Sequence, residues 1–302
     1  EGIQNNPWVW HLSKEQERGG RGGRMVKGEL CIITGANSGV GRCLAFGLAE
    51  LGARVVLACR SAEKAEAACK DITSSTGNTD VTYMPLDLTS LASVRGFAGQ
   101  LDDAPVSVLI NNAGVMMGAR EETADGYEVT FQTNALAPLL LASLLKPNLA
   151  RAARDKGGAP GSARVVYVSS RLEKRGTFAD LTAVPDPKER FQAREGFATF
   201  PVYGTSKLGG TALTYELARR WAEEGLQGVC VNACTPGMVH TQLGRFAPAW
   251  ARYLSWPLRY MLLRPAAKGA ETPLWLASSG AEAAVSSGLY FSDMQAIASS
   301  EA

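Results

Sequence analysis

Tyr203 and Lys207, in Phe-Pro-Val-Tyr-Gly-Thr-Ser-Lys at positions 200–207, place a phenol and an ammonium one helical turn apart. A phenol can give a proton to an oxygen that is taking up negative charge. A nearby cation favours the ionised phenol, so the pair could be a general acid and the charge that tunes it. Spacing alone does not establish this, because Tyr167 precedes Arg171, Tyr215 precedes Arg219 and Tyr260 precedes Arg264 at the same separation. A second chemical signal lies far upstream. Residues 34–42, Thr-Gly-Ala-Asn-Ser-Gly-Val-Gly-Arg, carry Gly35, Gly39 and Gly41 with Asn37, Ser38 and Val40 among them. Glycines let a backbone approach a pyrophosphate, and a helix starting there offers free amides and a positive dipole end. The other reading is an ordinary tight turn; the position, at the first strand-to-helix junction of the chain, favours the nucleotide.

The second strand carries the next clue. A carboxylate at its end would bind the ribose hydroxyls of NAD. Arg-Val-Val-Leu-Ala-Cys-Arg instead puts Cys59 and Arg60 there. Arg60 can make a charge-assisted contact to a 2′-phosphate, and Arg42 adds a second positive charge, so NADP(H) is expected over NAD. Otherwise Arg60 is a surface charge at the start of a helix.

These groups need a scaffold to hold them. The chain has 302 residues, 46% hydrophobic, with 31 basic and 29 acidic side chains giving a net charge of +2. That balance provides no field for nucleic acid, and the three arginines of a Gly/Arg run near the N-terminus read as a linker. The six cysteines lie singly in apolar runs, which points to reduced thiols in a reducing, intracellular compartment. Only His11 and His240 are present, so a histidine metal site or a Ser-His-Asp relay is not expected. Glu1 in first position is what processing after import into a plastid or mitochondrion would leave.

From Leu30 onward, short apolar β-branched runs alternate with amphipathic stretches at helical spacing. The pattern predicts an α/β fold, a Rossmann doubly wound parallel sheet of about seven strands, as one domain over 25–302. Residues 1–24 read as an extended arm, where Trp8 and Trp10 need a partner surface, either this domain's flank or another subunit. Two segments break the rhythm: a polar insertion over 171–200, and 244–264, rich in Trp, Tyr, Leu and Met. The second reads as a lid for an apolar substrate, a peripheral membrane contact, core packing or a dimer contact.

Over residues 28–292 the chain resembles the short-chain dehydrogenase/reductases. The motifs, in order, are "TGANSGVG" at 34–41, "LDL" at 86–88, "NNAG" at 111–114, Asn134, "VSS" at 168–170, "YGTSK" at 203–207 and "PGMVHT" at 236–241. "VVLACR", "VLINNAGVMM", "TADGYE" and "LYFSD" are most similar to the retinol dehydrogenase-like branch, with the protochlorophyllide reductases ranked second. The resemblance implies a tetrad of Asn134, Ser170, Tyr203 and Lys207. Tyr203 would be the acid, with its pKa lowered by Lys207. Ser170 would hold the substrate oxygen, and Asn134 would position a water linking Lys207 to solvent. It also implies that Asp87 and Leu88 meet the adenine and that Asn111, Ala113 and Gly114 line the ribose. Pro236, Gly237, Val239 and Thr241 would hold the nicotinamide end. Ser170 is preferred to Ser169 because the second serine of that pair is the family's catalytic one and strand alternation points the two apart. The expected activity is interconversion of a hydrophobic alcohol and its carbonyl with NADP(H). The alternatives are an accessory subunit of this fold, docked through the tryptophan arm into a larger complex, and a protochlorophyllide reductase-like enzyme.

Overall fold

A computed structural model describes residues 26–177, 199–237, 239 and 264–299. The arm with Trp8 and Trp10, positions 178–198 of the insertion, Thr241, and the 244–264 segment except Arg264 lie outside the described residues.

All seven expected strands form: β1 Leu30–Thr34, β2 Arg54–Cys59, β3 Val81–Pro85, β4 Val106–Asn111, β5 Ala163–Val168, β6 Val229–Thr235 and β7 Tyr290–Ser292. An eighth, β8 Gln295–Ile297, was not expected. The sheet order is β3-β2-β1-β4-β5-β6-β7-β8, parallel throughout except for the antiparallel β7–β8 pair. β8 returns through a tight turn at Asp293 and Met294, whose φ values of 50° and 61° suit a hairpin with two left-handed central residues. Its three residues are all exposed, so no apolar period marks it in the sequence.

Helices cover both faces. On one, Ile33, Leu57, Ile110 and Val166 pack with helices α1 (Gly39–Glu50), α2 (Ala62–Thr76) and α7 (Ala266–Ser278). On the other, Ile32, Val56, Leu109 and Val165 pack with α3 (Leu91–Gln100), α4 (Ala137–Leu144), α5 (Lys146–Asp155) and α6 (Thr199–Glu223). Ile32 and Ile33 are adjacent yet lie in different cores, as strand alternation requires, and double cover explains why the strands read as continuous apolar runs. The strand order turns back between β1 and β4, and such a switch point opens a crevice at the strand C-termini. Glu282–Val285 forms a short last helix, α8.

Candidate active site

The glycine turn leaves β1 at that switch point. Gly35 and Gly39 have φ values of +66° and +56°, a conformation costly for other residues. A Cβ on Gly35 would lie 3.0 Å from Ala113 Cα, and one on Gly41 would lie 2.5 Å from Asn112 Nδ2 and from Gly35 O. Thr34 Oγ1 accepts from the backbone amides of Asn112 and Ala113, both at 3.0 Å, while Asn112 Nδ2 donates to Thr34 O at 2.9 Å. The turn and the Asn-Asn-Ala-Gly stretch are therefore one braced unit. Its brace, Asn112, was absent from the residues expected, because its role depends on a partner in another strand. The Asn111 side chain points elsewhere, with Nδ2 donating to Pro138 O at 3.4 Å. Ser38 begins α1 in an extended conformation without using its side chain as a cap, and Val40 is buried beneath the turn.

Arg60 is exposed at the end of β2. Arg42 differs from expectation: it is ion-paired with Asp71 of α2, which offsets the second positive charge predicted there. Asp87 accepts from the Thr89 amide at 2.9 Å and hydroxyl at 2.8 Å, an Asx-type turn leading into α3, and Leu88 is buried. Beyond β6, Gly237 has φ +78°, Pro236 lies beside it, and Val239 forms a parallel bridge with Arg264.

Tyr203 and Lys207 sit on consecutive turns of α6, only 4% and 3% exposed. Lys207 Nζ donates to Val168 O at 2.8 Å and lies 6.0 Å from the Tyr203 ring centroid. The Ser170 hydroxyl, just beyond β5, lies beside the Tyr203 phenol and favours its ionised form, so the two meet despite the long insertion between them; its Oγ also accepts from Leu172 N at 3.2 Å. Two glycines bring this about. After Ser170 the chain makes a 3-10 turn, Arg171–Arg175, and a Cβ on Gly204 would lie 2.6 Å from Leu172 O and 3.0 Å from Gly176 N. Bare backbone on both sides lets the turn lie directly on the first part of α6. Ser169 faces away, as expected, with Oγ donating to Glu173 Oε2 at 3.0 Å and accepting from Thr211 Oγ1 at 2.9 Å.

Asn134 is fully buried in a π turn, Gln132–Leu136, between the short α turn Val129–Phe131 and α4. Its Oδ1 accepts from Val115 N at 2.8 Å, and Nδ2 donates to Val115 O and Ser206 Oγ, both at 2.9 Å. A Cβ on Gly114 would fall 3.2 Å from Lys207 Nζ and 3.4 Å from Asn134 Oδ1, so that glycine keeps the three residues close.

Burial sets the ionisation here. It lowers the Lys207 pKa to about 8, and it raises the Tyr203 pKa to about 12 against the opposing influence of the Ser170 hydroxyl. The phenol is therefore not made more acidic as expected; with 4% exposure, loss of water around the phenolate outweighs the opposing effect of the Ser170 hydroxyl. Tyr203 is kept protonated, the form that can donate.

A model of the short chain dehydrogenase family matches residues 29–179 and 191–252. The chain is 41% identical to dehydrogenase/reductase SDR family member 13 of Bos taurus over 85% of its own length, and spans 64% of that relative, under two thirds of it. It is 37% identical to human retinol dehydrogenase 13, covering 89% of this chain and 78% of the relative. Among solved structures it matches the Pseudomonas aeruginosa RhlG/NADP active-site complex with a TM-score of 0.65 at 24% identity, covering 89% and 96% of the two chains, a likeness of fold.

Proposed function

The chain belongs to the short-chain dehydrogenase/reductase family, in its retinol dehydrogenase-like branch, and from that premise we propose that it interconverts an apolar alcohol and its aldehyde or ketone with NADP(H). The observation that carries this reading is the meeting of Ser170, Tyr203 and Lys207 beside the glycine cradle. A nicotinamide cofactor supplies or accepts the hydride. Gly39 fits such a group: a Cβ there would meet nothing within 4 Å, which leaves open space at the start of α1, whose first amides would suit a phosphate. Arg60 would take the 2′-phosphate, and Lys207 the ribose hydroxyls of the nicotinamide half.

In the reducing direction, Ser170 hydrogen-bonds the substrate oxygen and opposes the charge that builds on it. Tyr203 then gives its phenolic proton to that oxygen, and the Lys207 ammonium stabilises the phenolate that remains. Retinol-like specificity is supported by the relatives' names and by the apolar character of 244–264.

The test mixes the full chain with NADPH and a panel of apolar carbonyls and follows cofactor absorbance. Tyr203→Phe is expected to lower kcat by about 10²–10⁴-fold while NADPH still binds. No turnover by the wild-type chain, with retention in a large complex, would favour the accessory-subunit reading. Arg60→Ala should raise Kd for NADPH roughly 10–100-fold and leave NADH binding nearly unchanged; equal losses for both cofactors would refute the 2′-phosphate contact.

A further inference from the structure

Tyr167 entered the sequence only as a look-alike of Tyr203, yet in the fold it lies directly behind the active site. In a regular α-helix the carbonyl of residue 134 would accept from the amide of residue 138. Residue 138 is proline and has no amide hydrogen, and the helix opens there into the π turn. Asn134 is 0% exposed, so water cannot supply the missing donor cheaply. The Tyr167 hydroxyl supplies it, reaching from β5 to donate to Asn134 O at 2.6 Å.

Tyr167 gets there through a gap in α6. Gly210 lies one turn beyond Lys207, and a Cβ at that position would collide with the Tyr167 hydroxyl and ring carbons. The same ring lies under the catalytic cation: Lys207 Nζ is 5.2 Å from the Tyr167 centroid, nearer than the 6.0 Å to Tyr203. A continuous set of bonds also joins Tyr167 to the acid. Asn134 Nδ2 donates to Ser206 Oγ at 2.9 Å, and Ser206 Oγ donates to Tyr203 O at 2.7 Å.

We infer that Tyr167 is a positioning residue of this active site, admitted by Gly210, whose hydroxyl holds the Asn134 carbonyl and whose ring supports the Lys207 ammonium. The inference rests on the reductase reading for its kinetic consequence but not for its structural one. Asn134 is then fixed entirely by protein groups: its side chain by Val115 and Ser206, its carbonyl by Tyr167.

Two measurements on the full chain test this. In steady-state reduction of an apolar carbonyl, Tyr167→Phe should lower kcat roughly 10–100-fold with KM for NADPH within about twofold. Gly210→Ala should lower kcat comparably in the Tyr167 background and have little further effect in Tyr167→Val, since the steric conflict is gone. Wild-type kcat in Tyr167→Phe, or an equal Gly210→Ala penalty in both backgrounds, overturns the inference. The second measurement needs no turnover. With lysine labelled by 15N and the Lys207 Nζ resonance assigned by Lys207→Arg, Tyr167→Val should lower the titration midpoint by about half a pH unit through loss of the ring, while Tyr167→Phe leaves it in place. A midpoint unmoved in Tyr167→Val overturns the ring's role. If the wild-type chain reduces nothing, the reductase reading fails, and the NMR titration still decides this one.

Discussion

Lys207 carries a cost that its function explains. Its ammonium titrates at about 10.5 in water and about 8 in the fold, because burial disfavours the charge. Between those values the unfolded chain holds the extra proton, so this group's contribution to stability rises with pH across that window and is least favourable below about 8. Comparing the wild-type chain with Lys207→Met isolates the effect, since other titrations and the lost Val168 contact cancel in the pH difference. Urea unfolding at pH 7.5 and 10.5 should show the wild type gaining on the variant by on the order of 3 kcal/mol. A gap that does not change with pH would mean that Lys207 is better solvated than its 3% exposure implies. The pair was legible as Tyr-x-x-x-Lys, but the direction of the Tyr203 shift was not. Spacing shows that a cation is near; it does not show how completely water is excluded.

At the scale of elements, the site depends on surfaces with no side chain. Gly204 and Gly176 let the turn after Ser170 lie against α6, and Gly204→Ala would put a Cβ 2.6 Å from the Leu172 carbonyl. That neighbour is backbone and cannot simply rotate away. The turn should shift, separating Ser170 from Tyr203 and lowering kcat by about 10²-fold with NADPH affinity little changed, as fluorescence titration beside turnover would report. Neither glycine stands out in the sequence, where both resemble loop or helix-start residues; only the three-dimensional crossing pairs them. Asn112 escaped for the same reason, since its partner Thr34 belongs to another strand. The π turn was hidden differently. Pro138 was visible as an interruption of an apolar run, but not the outward loop of helix that it imposes on Asn134.

For the molecule as a whole, the first seven strands were legible because a parallel sheet covered on both faces must read as apolar β-branched runs, and the exposed β8 was not. The cofactor cradle also depends on packing far from any ligand. Gly47 of α1 faces Leu274 of α7, where an added Cβ would lie 2.6 Å from Leu274 Cδ2, so α7 packs directly on the helix that begins at the glycine turn. Leu274→Ala should cost about 2–5 kcal/mol in unfolding free energy. NADPH at a hundred times its Kd should return about 2.7 kcal/mol, read as a ligand-dependent rise in Tm; no rise would mean that α1 had lost its binding geometry. The brace between Thr34 and Asn112 and Ala113 has one further consequence, in the order of assembly. Those partners lie 78 and 79 positions apart, so the cradle cannot exist until β1 and β4 have paired across everything between them. Local helices form in microseconds, whereas such distant pairing is slow. During refolding, helical circular dichroism should therefore recover well before NADPH fluorescence enhancement, and the nucleotide, arriving after the fold is complete, can stabilise its site but cannot template it.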